Sequence, residues 1–515
     1  MTKRVVLGAL VSALMVVATG CSEECVDQID CRNKRGEPGE GKRWVCVDNE
    51  CETQDTTPAP GPGTDAGTDA GTGTDAGTGT DAGTDAGTET DAGTETDAGT
   101  MTIAEGGDCT TTDSCMAGLY CEGATGSKKC EPLHIALTTA ATAGGATDAV
   151  VVRYKTPRSE PPAGTTAVTE LSEGTGPSRF PRWNRDGTAV AFVEEETGTS
   201  VTLVTRNIPL VAAQRTPLTT GANAGGTVDF RHLEWEPSAS LAWSTTAASG
   251  SISGISVIPG TGGTVQTATT EGVFPSWAAD GNRFTYSVNT LGLNTKELGG
   301  AASSPVAGSA PTSEQPMHNK ANGVLLYLDA NGETETIGGA ATPLTRLYTL
   351  RPATAEVPAP APVAVAELTS DAVSVPPGTV RSFIANHTWA PGGTHAAYVR
   401  VYYFKPAVGE ATLCSGGTEC AGRQGNVIFV RRVDANGTPQ GAEMELVSEA
   451  TLPSFSPDSH FLAYLSGGRL RVQRINPEAT DAATLKVGPV ITHTWTGTTT
   501  PSNRADDHRP RWQPR

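Results

Sequence analysis

Across 515 residues the chain is 37% hydrophobic, 5% aromatic and 18% charged, with 60 glycines and 35 prolines. That balance excludes a helical bundle, a coiled coil and a polytopic membrane protein, and favours turn-rich β structure beside low-complexity tracts. The net charge of −19 argues against a nucleic-acid partner.

Lys3 and Arg4 are followed by an apolar run, Val5 to Thr19, and by the small residues Ala18-Thr19-Gly20 immediately before Cys21. A helical run of about 15 residues is too short to span a hydrocarbon core of about 30 Å, so residues 1–20 read as an export signal. Small residues abutting a cysteine resemble the processing site of bacterial lipoproteins. The resemblance implies that Cys21 is lipidated and heads the mature chain, and that the protein is held to a membrane; an ordinary cleaved signal is the alternative. Ser22 stands where an Asp would imply retention at the inner membrane, so the resemblance points to the outer membrane.

Setting Cys21 aside leaves ten cysteines: Cys25, Cys31, Cys46 and Cys51; Cys109, Cys115, Cys121 and Cys130; and the pair Cys414 and Cys420. An even, clustered set behind an export signal reads as a disulfide framework, with several pairings open within each quartet. Both quartets begin Cys-x5-Cys and carry an aromatic just before the third cysteine, Trp44 and Tyr120. They therefore read as two copies of a module too small to fold on a hydrophobic core alone. Zinc is the competing reading, and the absence of CxxC pairs disfavours it. Residues 36–43 have the spacing of a phosphate loop, but Arg43 replaces the hydroxyl residue such a loop needs.

These features divide the chain into the signal, 1–20; a lipidated start and first Cys-rich module, 21–51; an acidic linker, 52–104; a second module, 105–132; and 133–515. From Thr64 to Thr100 the linker repeats Thr-Asp-Ala-Gly with nothing more hydrophobic than Ala, so nothing offsets the entropy of ordering it. It reads as a disordered spacer, with a calcium sponge as the lesser alternative. Up to Glu131 there are 9 basic and 24 acidic residues; beyond it, 28 and 32. The acidity belongs mainly to the region before residue 133.

From about Leu133 a repeat begins. Its clearest copies are Pro181-Arg182-Trp183-Asn184-Arg185-Asp186-Gly187 and Pro275-Ser276-Trp277-Ala278-Ala279-Asp280-Gly281. Each runs into an alternating apolar segment. Weaker copies centre on Trp235, Trp389, Phe455 with Asp458, and the terminal Trp512, while His318 marks a degenerate one. The anchors recur about every 55 residues. Each repeat reads as a short strand carrying the aromatic, a tight turn, and further period-two strands, which is the pattern of a β-propeller blade. Asp329-Ala330-Asn331-Gly332 and Asp434-Ala435-Asn436-Gly437 read as additional hairpin turns.

The P-x-W-S-P-D-G type signature resembles the TolB-like propeller repeat of bacterial envelope proteins, and covers most of 133–515. TolB itself is soluble with an N-terminal α/β domain, so its role in the Tol-Pal system does not transfer. Three strands between His134 and Ser172 precede the first Trp motif, and one strand, Pro510 to Pro514, follows the last full repeat. Joined, they make a blade from both ends, closing the ring at seven; irregular early strands would give six. The loop holding Cys414 and Cys420, between Tyr398–Phe404 and Val427–Arg431, is the expected site of binding.

No GxSxG or HExxH occurs, and the eight histidines are scattered, among them His318, His387, His395, His460 and His508. No catalytic residue, metal or cofactor is expected. The chain reads as an outer-membrane lipoprotein whose all-β propeller is a non-catalytic scaffold for an envelope protein or a glycan. Its rival is a metal-assisted polysaccharide lyase-like propeller. Oligomeric state and the identity of the partner are not legible.

Overall fold

The computed structural model describes residues 42–47, 50–55, most of 103–141, 147–153, 168–172, 176–208 except 198–199, most of 215–235, 240–246, 252–352 except 301 and four residues of 331–339, 365–369, 379–404, 424–494, 499–501 and 508–514. The signal, Cys21, Cys25, Cys31, the Thr-Asp-Ala-Gly repeats, Cys414 and Cys420 lie outside these. The chain divides into two units, Met1–Asp85 and Ala86–Arg515. No described helix is long and apolar enough to cross a membrane.

Within the first unit, Lys42–Val47 pairs antiparallel with Glu50–Asp55, placing Cys46 opposite Cys51. The second module, in the other unit, repeats this arrangement: Leu119–Glu122 pairs with Lys129–Pro132, and Cys121 stands opposite Cys130. There the bridges run Cys109–Cys121 and Cys115–Cys130, first to third and second to fourth. All four of these cysteines are buried. Closing loops of this length contributes about 3 kcal/mol per bridge, which replaces the core such a small module lacks.

Seven antiparallel sheets, each counted outward from its first strand, and one small two-stranded hairpin make up the rest of the described residues. Blade 2 comprises Ser178–Trp183, Ala189–Thr197, Ser200–Asn207 and Arg215–Ala224. Blade 3 comprises Arg231–Trp235, Ser240–Thr246, Ile252–Pro259 and Gln266–Thr269. Blade 4 comprises Val273–Trp277, Arg283–Val288, Gly292–Glu297 and Ser304–Pro305. Blade 5 comprises Ser313–His318, Leu325–Asp329, Arg346–Leu350 and Val365–Glu367. Blade 6 comprises Thr379–Trp389, His395–Phe404, Gln424–Val433 and Pro439–Ser448. Blade 7 comprises Ala450–Phe455, Phe461–Ser466, Arg469–Ile475 and Lys486–His493. Blade 1 is assembled from both ends of the region: Arg511–Trp512 pairs with His134–Ala141, followed by Thr147–Arg153 and Val168–Glu170. This is a seven-bladed β-propeller.

The second strands are short apolar runs buried on both faces, as expected for a sheet sandwiched between neighbours; all six residues of Phe461–Ser466 are buried. Aromatic anchors fill the gaps between sheets. Trp183 of blade 2 packs with Ala136, Ala149 and Val151 of blade 1. Trp389 of blade 6 packs with Val324 and Leu326 of blade 5. Each anchor thus leans on the blade before it.

After the anchor comes a turn with a recurring closure. The residue following the anchor donates its N–H to a carbonyl five residues on, as Asn184 does to Ala189, Ala390 to His395 and Ser456 to Phe461. Gly187, Gly281 and Gly393 hold positive φ in that turn, at 67°, 69° and 74°. Ser459 takes the same place at φ 64°, with Asp458 accepting the Ser456 hydroxyl and the His460 N–H. Asp434 likewise closes a blade hairpin, accepting from Asn436 and Thr438. The other DANG segment differs from the expectation. Its Asp329 ends a blade strand and accepts the hydroxyls of Thr312 and Ser313, while a separate small hairpin, Thr334–Ile337 with Ala340–Pro343, precedes the next blade strand.

A regular feature appears three residues before the anchor. Phe180, His232, Phe274, Gln315, Asn386 and Leu452 all have positive φ, between 50° and 60°, and the ladder of each first strand slips there. A left-handed non-glycine residue costs roughly 1–2 kcal/mol, so a sixfold recurrence needs a compensating contact. In three blades that contact is a buried hydroxyl on the second strand of the preceding blade. Thr138 accepts the Phe180 N–H at 3.1 Å, Ser244 that of Phe274 at 3.1 Å, and Ser287 that of Gln315 at 2.8 Å. Replacing Thr138 with the near-isosteric Val leaves the Phe180 N–H buried without an acceptor. We expect a loss of about 1–3 kcal/mol in urea unfolding, and no loss would remove the hydroxyl from the account.

Candidate functional site: the anchor-side mouth of the channel

Because every first strand ends on its anchor, the seven anchors gather on one face. The indoles link blade to blade there. Trp183 donates its Nε1–H to the Arg511 carbonyl at 2.9 Å, Trp235 to Arg182 at 3.1 Å, Trp389 to Met317 at 3.0 Å and Trp512 to Ser454 at 3.0 Å. In each case the acceptor is the residue just before the preceding blade's anchor, so one contact repeats around the axis.

The repeat is broken at blade 5. His318 occupies the anchor position, is buried, and holds the Thr285 hydroxyl at 2.9 Å through Nε2. Lys320, two residues on, donates to the Trp277 carbonyl in place of an indole and lies 3.6 Å from Glu234. Burial pushes the His318 pKa down to about 3 and, with Arg432 adding to the effect, that of His395 down to about 4. Both rings are therefore neutral in the folded protein near pH 7. The unfolded chain takes up their protons below its ordinary histidine value of about 6.5, so stability is present above that pH and falls toward pH 3–4. Each ring contributes at most about 1.4 kcal/mol per pH unit. We expect the urea midpoint to drop between pH 7 and pH 4.5, and to drop less in His318→Leu. An unchanged pH dependence in that variant would contradict the assignment.

A cavity of about 580 Å³ opens on this face, lined by residues from all seven blades, which only a position on the propeller axis allows. Five anchors show there: Trp183, Trp235, Trp389, Phe455 and Trp512. The rim comes from the position two residues after the anchor: Arg185, Ala279, Lys320, Pro391, Pro457 and Pro514. On the channel side, side chains link the blades. Arg509 reaches from blade 1 past blade 7 to the His387 carbonyl of blade 6 at 2.6 Å, and His387 donates from Nε2 to the Gln315 carbonyl at 2.9 Å. His508 packs on Phe180 with ring centroids 5.3 Å apart.

No protein-family model matches the chain, and no curated protein does. Among solved structures it is similar to TolB of Acinetobacter baumannii, with 14% identity and a TM-score of 0.36 over 75% of this chain and 68% of that one. It is similar too to the periplasmic gluconolactonase of Pseudomonas aeruginosa, with 12% identity and a TM-score of 0.44 over 74% of this chain and 99% of the other. For oligogalacturonate lyase of Vibrio parahaemolyticus the figures are 10% identity and a TM-score of 0.41, over 70% and 84%. Identities of this size concern fold alone, and these neighbours include both enzymes and TolB.

The sequence-singled residues fall into place unevenly. Trp183, Trp235, Trp389, Phe455 and Trp512 meet at the mouth; Trp277 is wholly buried between blades 3 and 4. Asp186, Asp280 and Asp458, with Gly187 and Gly281, belong to the turns beyond the anchors. The insertion with Cys414 and Cys420 is flanked by strands that end at Phe404 and begin at Gln424, on the face opposite the cavity. Among the described residues the only group of three with metal-ligand geometry is Cys109, Cys115 and Cys130, which are in disulfides. Sequence reasoning missed the rim, although proline recurs two residues after the anchor at 237, 391, 457 and 514.

Proposed function

We propose that this propeller is a non-catalytic binding disc, held at the outer membrane through a lipid on Cys21, and that it receives an envelope partner at the anchor-side mouth. The observation supporting this reading is the character of the cavity. Fifteen residues from seven blades line it, aromatic, proline, hydroxyl, amide and cationic apart from Ala279, with no Asp, Glu, His or Cys among them. Such a surface supplies contacts and charge complementarity but no carboxylate, imidazole or thiol for acid–base or metal chemistry. Concave sites of a few hundred Å³ with few convergent polar groups are ordinary binding sites.

Metal analysis of the purified exported chain tests the non-catalytic part. We expect no stoichiometric metal; one equivalent of manganese, calcium or zinc lost on mutating channel histidines would contradict it and favour the lyase-like reading. The anchor is tested separately. Cys21→Ala is expected to move the protein from the membrane to the soluble fraction, and continued sedimentation with envelopes would count against lipidation at that residue.

A further inference from the structure

Of the chain's asparagines, two begin an Asn-x-Ser/Thr triplet: Asn386-His387-Thr388 and Asn436-Gly437-Thr438. This triplet is the acceptor form for attaching a sugar to an asparagine side chain, and in an exported chain it belongs on an accessible loop. The fold separates the two. Asn386 lies in the first strand of blade 6 at φ 50°, and the His387 and Thr388 that complete its triplet are only 3% and 6% exposed. Asn436 and Thr438 are exposed, in the hairpin turn that joins the third and fourth strands of the same blade. That turn stands on the anchor-side face, because Val433, which leads into it, donates its N–H to the Thr394 carbonyl of the anchor turn.

The backbone of the turn is fixed while its two reactive side chains stay accessible. Asp434 accepts the N–H groups of Asn436 and Thr438 at 2.8 and 2.9 Å. Gly437 is buried at φ 86°, and its carbonyl accepts the Thr349 hydroxyl of blade 5 at 2.7 Å. A Cβ there would lie 2.7 Å from Val324 Cγ1, so glycine is required at the middle of the triplet. Arg351 Nη1 donates to Asn436 Oδ1 at 2.6 Å, which sets the plane of the carboxamide. Neither the Asn436 Nδ2 nor the Thr438 hydroxyl has a partner among the described residues. The related segment Asp329-Ala330-Asn331-Gly332 continues with Glu333 and so lacks the hydroxyl.

We propose that Asn436 is a glycosylation site, modified once the chain has been exported. The donor is an oligosaccharide carried on a lipid pyrophosphate, and an envelope transferase supplies the catalysis. A bond forms between Asn436 Nδ2 and the sugar C1 as the bond from C1 to the pyrophosphate oxygen breaks. The pyrophosphate leaves with the bonding electrons, and the amide proton passes to a base of the transferase. The Thr438 hydroxyl gives that enzyme a second group by which to hold the triplet. The glycan then stands on the outer half of blade 6, on the same face as the mouth but outside the cavity lining. This goes beyond the binding reading and rests only on its export step, whatever the mouth receives.

The test uses the full chain purified from envelopes of its native host, with its tryptic peptides sequenced by mass spectrometry. The peptide Val433–Arg469 is expected to carry an oligosaccharide on Asn436, and the peptide Ser382–Arg400, which holds the buried triplet, to carry none. Asn436→Gln and Thr438→Val are each expected to abolish the modification. Thr438→Ser is expected to retain it, which separates loss of the acceptor from a folding defect. A glycan that persists in Asn436→Gln would overturn the proposal. So would an unmodified peptide, or one altered only by deamidation through attack of the Gly437 nitrogen. If the unmodified peptide comes from a chain that has lost residues 1–20, this inference alone falls; if those residues are still present, the export reading falls with it.

Discussion

Trp512→Ala lowers the stability of the propeller by about 3–5 kcal/mol, more than truncation of any other mouth tryptophan. The indole is 6% exposed and packs with Leu452 and Phe461 of blade 7 and with Leu133, Ile135 and Leu137 at the start of blade 1. Removing a buried Trp from such a site costs that much through lost transfer free energy and the cavity left behind. Its Nε1–H also leaves the Ser454 carbonyl, for about 1 kcal/mol more. The position adds a consequence other anchors lack. Arg511–Trp512 is the innermost strand of blade 1, and Gln513 ties it to both neighbours through His134 and the Gly187 carbonyl. Losing that strand opens the ring and exposes the edges of blades 1 and 7. Trp235 is the control, being only partly buried and internal to the ring. Thermal unfolding and limited proteolysis should rank Trp512→Ala well below Trp235→Ala. Equal midpoints would mean that closure by the terminal strand contributes little.

A comparable effect is expected far from the mouth. In blade 6, Arg400 Nε and Nη2 grip Glu443 at 2.9 and 2.7 Å, and the two side chains are 8% and 0% exposed. The guanidinium also lies 5.7 Å from the Phe429 ring centroid. A buried pair is costly to assemble and much costlier to halve, because the surviving charge keeps its desolvation penalty without its partner. Glu443→Leu alone is therefore expected to lose about 3–5 kcal/mol. The double variant Arg400→Met with Glu443→Leu should recover most of that loss. Denaturant midpoints for the two singles and the double measure the coupling. If the double variant is as unstable as the sum of the singles, the pair is not the unit described here.

The blades were legible because their signals are local. Tryptophan flanked by proline, then a turn glycine, then an alternating apolar run, marks each first hairpin without knowledge of its neighbours, and the seven anchors from Trp183 to Trp512 follow directly. The count of seven was legible for a different reason: three strands before the first motif and one after the last complement each other. The bulge three residues before six of the seven anchors was not legible. Its residues are Phe180, His232, Phe274, Gln315, Asn386 and Leu452, which share no side-chain chemistry, and the hydroxyls that support three of them sit about 30–40 residues away on the preceding blade. The mouth was half legible. Proline two residues after the anchor is visible in the chain, but only ring closure turns these separated positions into one rim, and only blade order sets Pro391, Pro457 and Pro514 on three consecutive blades. Sequence reasoning favoured the Cys414–Cys420 insertion as the binding surface. The strands flanking it begin and end on the other face, so the insertion and the cavity are separate candidates.

That separation provides the most direct test of the central claim, that the anchor-side mouth is where this propeller meets its partner. A photoreactive amino acid is placed at Ala279 on the mouth rim or at Leu291, a 60% exposed residue on the opposite face, in full-length protein in intact envelopes. The expected result is a discrete crosslinked species from position 279 and none from position 291. Crosslinking from 291 alone, or equally from both, would contradict the assignment of the mouth as the binding site.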